Sequence, residues 1–161
     1  MKKSILLIAV LAFVGTVAAV AQPRAIGANL GYGIDVSYQH SLGEANMIDL
    51  SVNIPFFNGI GATCTYDWVN PFGTAIPWNE KGEWNWSLGV GAGGGIYSFS
   101  APSWYVGAVG QVGVEYNFWF PLQLSVDWRP NIGIVGVNGA GLAFNGSGLY
   151  SGITLGVRYL F

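Results

Sequence analysis

The residues of this chain that could do chemistry are few and scattered. His40 is the only histidine and Cys64 the only cysteine, so no multi-histidine metal site and no internal disulfide can form. A general base needs its nucleophile within hydrogen-bond reach. Ser41 adjoins His40, but neighbours on an extended strand point to opposite faces, so the two make no dyad. Gly89-Val90-Gly91-Ala92-Gly93-Gly94 matches G-x-G-x-x-G. That motif cradles a phosphate only between a strand and a helix. No helical periodicity follows it, so its glycines read as small residues making room. What remains is a set of charges: Asp35, Asp49, Asp67, Glu115, Asp127, Arg129 and Arg158. Gathered on one face, five acids and two arginines form either a packed, hydrogen-bonded network or an acidic passage that favours cations. Glu115 and Arg158, each a few residues from a strand end, are expected to pair.

The elements that must position these charges are strands. In "LQLSVDWRP", Leu122, Leu124, Val126 and Trp128 alternate with Gln123, Ser125, Asp127 and Arg129, the period of two that marks a half-buried strand. Similar rows recur from residue 26 to the end: Ile48, Leu50, Val52 and Ile54, then Trp84, Trp86, Leu88 and Val90, then Ile153, Leu155, Val157, Tyr159 and Phe161. Every charge inside these segments lies on the polar row. The others (Arg24, Glu44, Glu80, Lys81 and Glu83) fall at the start or in connections.

Two architectures use such strands. A soluble sandwich buries the apolar rows and surrounds them with charge. A transmembrane barrel inverts the pattern, turning apolar rows to lipid and polar rows to the lumen. The chain is 52% hydrophobic, 15% aromatic and only 9% charged, which favours the barrel. A charge facing lipid at mid-membrane costs about 2–4 kcal/mol, and the pattern avoids that cost throughout. The fold class expected is therefore all-β: a closed antiparallel transmembrane barrel, most simply of eight strands. Closure matters because an open edge leaves unpaired backbone groups in hydrocarbon.

The first residues carry an export signal. Met1-Lys2-Lys3 is basic, an apolar run follows, and Ala19-Val20-Ala21 places Ala19 and Ala21 where a signal peptidase reads. Residues 1–21 are expected to be a signal peptide and 22–161 the barrel domain. Removing Lys2 and Lys3 from six basic residues leaves four against eight acidic, a net charge of −4. Nothing basic remains to attract nucleic acid, and no cofactor or metal is expected.

Strand phase bears on topology. "NFWFPL" (Asn117 to Leu122) reads as a tight turn with two strands after it. Six must then precede it, which requires a hairpin at Gly31-Tyr32-Gly33. The competing topology keeps 25–42 as one long strand and takes another from 134–144. With the hairpin, Tyr66, Trp68, Trp84, Trp86, Tyr116 and Phe118, with Tyr159 and Phe161, collect at one end, as in an interfacial girdle. Trp128 is placed toward an interface, and Pro130 where the ladder is interrupted.

The stretches "AIGANLGYGIDVSYQHSLGEANMIDLSV", "WNWSLGVGAGGGIYS", "GQVGVEYNFWFPLQLSVDWRP" and "GITLGVRYLF" together resemble small outer-membrane β-barrel domain proteins of Gram-negative bacteria, especially the Bacteroidota type. The resemblance implies an outer-membrane location, outer-membrane lipids as neighbours and no defined activity. The row Ile153, Leu155, Val157, Tyr159 and Phe161 reads as the signal for the barrel assembly machinery, which can dock an extended segment by strand addition. The function expected is a non-enzymatic barrel with a packed polar lumen and a structural role, or one in which exposed loops bind an extracellular ligand. Alternatives are a narrow, porin-like, cation-favouring pore and a lipid A-modifying enzyme using His40.

Overall fold

The computed structural model describes residues 22–31, 33–43, 45–55, 59–73, 81–97, 103–137, 141–145 and 152–161. The proposed signal segment and its cleavage site at Ala19 and Ala21 lie outside them. Ten strands follow in order: β1 (Gln22–Gly31), β2 (Gly33–Ser41), β3 (Asn46–Ile54), β4 (Gly59–Pro71), β5 (Glu83–Tyr97), β6 (Ser103–Asn117), β7 (Leu122–Trp128), β8 (Asn131–Val137), β9 (Gly141–Asn145) and β10 (Ile153–Leu160). All pairings are antiparallel, and they close into an eight-stranded barrel. Ten strands make eight staves because β7 and β8 lie end to end along one edge of β6 in a single register, with β10 beside β7 and β9 beside β8.

Closure comes from β1, which pairs with β2 on one edge and β10 on the other. Phe161 N–H also donates to the Arg24 carbonyl (3.1 Å). Cross-strand partners followed around the wall run from Tyr105 through Gly95, Gly61, Asn53, Asp35, Asn29, Gly156 and Ser125 back to Glu115, ten residues along β6. Ten residues of rise against eight strand spacings give a tilt of about 40°.

The hairpin at Gly31–Gly33 is present, with Leu30 opposite Ile34, so residues 25–42 are not one long strand, although the strand which that alternative drew from 134–144 has counterparts in β8 and β9. Gly33 has φ +132°, and a Cβ there would run into the Ile54 carbonyl oxygen. Gly33→Ala is therefore expected to cost about 1–3 kcal/mol, read as a lower urea midpoint for the folded form in detergent. An unchanged midpoint would show that this turn can relax.

The turn at residues 118–121 is as tight as expected, with Phe118 N–H donating to the Leu122 carbonyl (2.9 Å). It lies at the same end as Gln22 and Phe161. Two expectations need correcting. Residues 131–137 and 141–145 form β8 and β9 and extend two staves, where a plain connection was expected. Trp128 consequently lies at mid-wall, not near an end. Pro130 does mark the break in the ladder, between the pairs Val112–Trp128 and Val109–Asn131. Gly110 N–H bridges the break by donating to the Pro130 carbonyl (2.8 Å).

The core of this barrel is its polar row. Among the described residues the buried hydrophobic side chains are only Ala25, Met47, Tyr105 and Val109, whereas Asn29, Ser37, Gln39, Gln111, Gln123 and many others are buried and polar. The apolar rows face outward and are exposed. A sandwich would show the reverse.

Candidate functional site

Each lumen side chain is placed by strand parity, and the charges gather in two clusters. The central one is organised by Arg158 on β10, which is 1% exposed. Its Nε donates to Ser37 Oγ (3.0 Å), and its Nη1 to Gln123 Oε1 (3.0 Å) and Ser125 Oγ (2.7 Å). Its Nη2 donates to Asn29 Oδ1 (2.9 Å) and Asp127 Oδ2 (3.3 Å), with Asp49 at 3.7 Å. One guanidinium thus joins β1, β2, β3, β7 and β10.

Arg129, at the joint of β7 and β8, reaches the same acid from above. Its Nη1 donates to Ser51 Oγ (2.8 Å) and its Nη2 to Asp49 Oδ2 (3.3 Å), and Asp35 lies 3.9 Å away. Asp49 also accepts from Gln39 Nε2 (3.2 Å) and Ser51 Oγ (3.0 Å). Asp35 accepts from Asn53 on the neighbouring strand. Two guanidinium groups therefore fill the lumen at mid-height. A buried charge is tolerable when paired and hydrogen-bonded, and Asp49 meets both conditions.

The second cluster sits near the end that carries Gln22 and Phe161, and it overturns the expected pairing of Glu115 with Arg158. Glu115 is paired instead with Arg24, and also accepts from Gln123 Nε2 (3.0 Å) and Asn85 Nδ2 (3.4 Å). Arg24 donates further to Gln39 Oε1 (2.7 Å) and approaches Met47 Sδ (3.0 Å). By simple alternation Arg24 shares the phase of Ile26 and Leu30 and would point outward. A register shift between Pro23 and Ala25 re-aims it inward, as β-bulges at barrel rims do. Sequence reasoning left it among the residues at the start. The usable signals were Pro23, a residue confined to edges and bulges, and five lumen acids with only two cations assigned.

Asp67 has no arginine. Thr65 Oγ1 donates to its Oδ2 (3.2 Å), and its Oδ1 has no hydrogen-bond partner among the described residues. The carboxylate lies against Gly89, its register partner, where any side chain would collide with it. Gly89 thus sits inside a strand, as a floor for Asp67, and not in a phosphate loop. Below the Arg24 cluster the lumen opens at the end of Gln22 and Phe161 into a polar cavity of ≈ 280 Å³, lined by Arg24, Glu83, Asn85, Asn117 and others.

On the outside, the aromatic residues assemble as a band at that same end. Tyr66 and Trp68 meet edge to face (5.1 Å), Trp84 packs on Tyr116 (4.9 Å), and Tyr116 on Phe118 (4.7 Å). Trp86 stands outward beside them, Tyr159 contacts Phe161 (5.6 Å), and Trp119 projects from the turn at 66% exposure. Ile153, Leu155, Val157, Tyr159 and Phe161 are all exposed on the outer face of β10. His40 also stands on the outward row, its Nδ1 2.7 Å from the Tyr38 hydroxyl. Among the described residues no group of three potential metal ligands occurs. No family model, curated protein or solved structure matches this chain.

Proposed function

We propose that the protein is an integral outer-membrane β-barrel of a Gram-negative bacterium, with acyl chains against its outward rows and its charged network acting as a structural core. The observation that carries this reading is the inversion of polarity. Exposed large apolar side chains such as Leu30, Val90, Val126 and Leu155 cover the outer wall, while arginines and carboxylates are buried inside. Soluble monomers rarely expose apolar patches above a few hundred Å². The aromatic band at one end supports an interface at that height. The fully outward apolar row of β10 supports a role in recognition by the barrel assembly machinery. The mid-lumen guanidinium groups argue for a packed core in preference to an open pore, since an eight-stranded barrel holds side chains and little else.

Val90 stands 58% exposed on the outer row of β5. If that row faces lipid, Val90→Arg is expected to lower folding stability in phosphatidylcholine vesicles by about 2–4 kcal/mol, measured by urea titration of the heat-modifiable folded band. If it faces water, the change is neutral, and the processed chain dissolves as a monomer without detergent. Either of those results would defeat the membrane reading.

A further inference from the structure

Among the described residues, Asp67 is the lumen acid that no cation reaches. Asp35, Asp49, Asp67, Glu115 and Asp127 are all buried, and they share the interior with Arg24, Arg129 and Arg158. Each of these acids except Asp67 lies 3.9 Å or less from a guanidinium nitrogen. The other basic residues of the chain are Lys2 and Lys3, which precede β1, Lys81, which is exposed, and His40 on the outward row. A buried carboxylate with no countercharge is costly.

The atoms around Asp67 show the same excess of acceptors. Thr65 Oγ1 lies 3.2 Å from Asp67 Oδ2 and 3.3 Å from Gln111 Oε1, and a hydroxyl has one proton for the two. Asp67 Oδ1 and Gln111 Nε2 have no hydrogen-bond partner among the described residues, and both atoms are sealed from solvent. Turning the Gln111 amide over makes a one-way chain, in which Nε2 donates to Thr65 Oγ1 and that hydroxyl donates to Asp67 Oδ2. Gln111 Oε1 then joins Asp67 Oδ1 as an acceptor without a donor. Oδ1 leans from β4 over the bare backbone of Gly89, whose other register partner is Gln111. From the opposite side Asp127 Oδ1 leans over Gly113 in the same way, beside Ser87 Oγ. Oxygen atoms and negative charge thus converge on one stretch of wall.

We propose that Asp67 Oδ1 and the Gln111 side-chain oxygen hold a sodium ion, with Thr65 fixing both groups. Oxygen ligands select hard cations. One unpaired carboxylate calls for one positive charge. A site this closed suits a small, largely dehydrated ion better than a water molecule, which needs room and several polar partners. The proposal requires only the closed lumen, so it holds whichever solvent faces the outer wall.

The test is the folding equilibrium of the full chain in detergent micelles, followed by urea titration. Sodium chloride is compared with choline chloride at the same concentration of about 150 mM, so that screening is equal. Sodium is expected to raise the folding constant about tenfold over choline, which is too large to enter, as binding at about ten times Kd gives. Asp67→Asn removes the charge, keeps the shape and should bring the two salts together. Thr65→Val only loosens the two ligands and should reduce the ratio to about twofold, since outer partners of a metal site carry about tenfold or more of its affinity. Equal folding constants in the two salts for the parent chain would overturn the proposal, with a proton left as the neutralising group. A sodium effect that persists in Asp67→Asn would overturn it too, by placing the ion elsewhere. If Asp67→Asn does not fold, Thr65→Val decides, and an unreduced ratio there rejects the site.

Discussion

Arg158→Met is expected to destabilise the folded barrel by about 3–5 kcal/mol, the usual cost of removing one member of a buried ion pair. The substitution keeps volume and removes the donors to Ser37, Gln123, Ser125, Asn29 and Asp127. Asp49 retains Arg129 at 3.3 Å, but among the described residues Asp127 is left with only the Ser125 hydroxyl at 2.7 Å. The stranded carboxylate dominates the loss. Adding Asp127→Asn to Arg158→Met should therefore recover a substantial part of the stability, about 1–2 kcal/mol, since sites in one network are not additive. The measurement is the urea midpoint for folding into detergent micelles, with Lys81→Leu as the comparison. Lys81 is exposed in the β4–β5 connection, and its replacement should fall within about 0.5 kcal/mol of the parent. Equal effects at positions 81 and 158 would mean that the guanidinium is not part of the core.

This difference between two cations was legible before any coordinates, because parity alone separates Arg158 from Lys81. The same is true of most of the wall. An uninterrupted period of two fixes which row a residue occupies, and all seven predicted lumen charges are inward. The hairpin at Gly31–Gly33 followed from the strand count, which needed six strands before the turn at 118–121; phase allowed it, because a three-residue turn keeps Leu30 and Ile34 on one row just as an unbroken strand would. Partnership was less accessible. Which acid an arginine reaches depends on the barrel's stagger and on side-chain length across the lumen, so Glu115 was assigned to the wrong cation. β8 and β9 were absent from the favoured topology, and stood in its competitor only as one strand over 134–144, for a different reason. Stretches such as "NIGIVGVNGAGLAF" alternate large apolar residues with glycine or alanine, so no polar row announces a strand. That ambiguity is itself physical, because a strand with two apolar rows looks like a loop rich in glycine until its neighbours are known.

Arg24 is the residue for which a one-residue register shift has the largest consequence. It sits on the first stave, and its pair with Glu115 on β6 crosses the lumen beside the β1–β10 seam. Arg24→Met should cost about 3 kcal/mol, because Glu115 is 4% exposed and would keep only neutral donors from Gln123 and Asn85. Glu115→Gln alone strands the opposite charge, but Arg24 is nearer the open vestibule and still reaches Gln39 at 2.7 Å. Its cost should be smaller, about 1–2 kcal/mol. The double variant removes both charges, so the two losses should fall short of additivity by at least about 1.5 kcal/mol in a double-mutant cycle. A purely local bulge effect predicts the opposite: additive losses, with Arg24→Lys as damaging as Arg24→Met. If the cross-lumen pair is what matters, Arg24→Lys should retain part of the stability, since an ammonium can still meet the carboxylate although it cannot form the two-pronged contact. Additive behaviour would assign the stabilisation to the register shift between Pro23 and Ala25, and Glu115 would then be an acid that merely tolerates its neighbour.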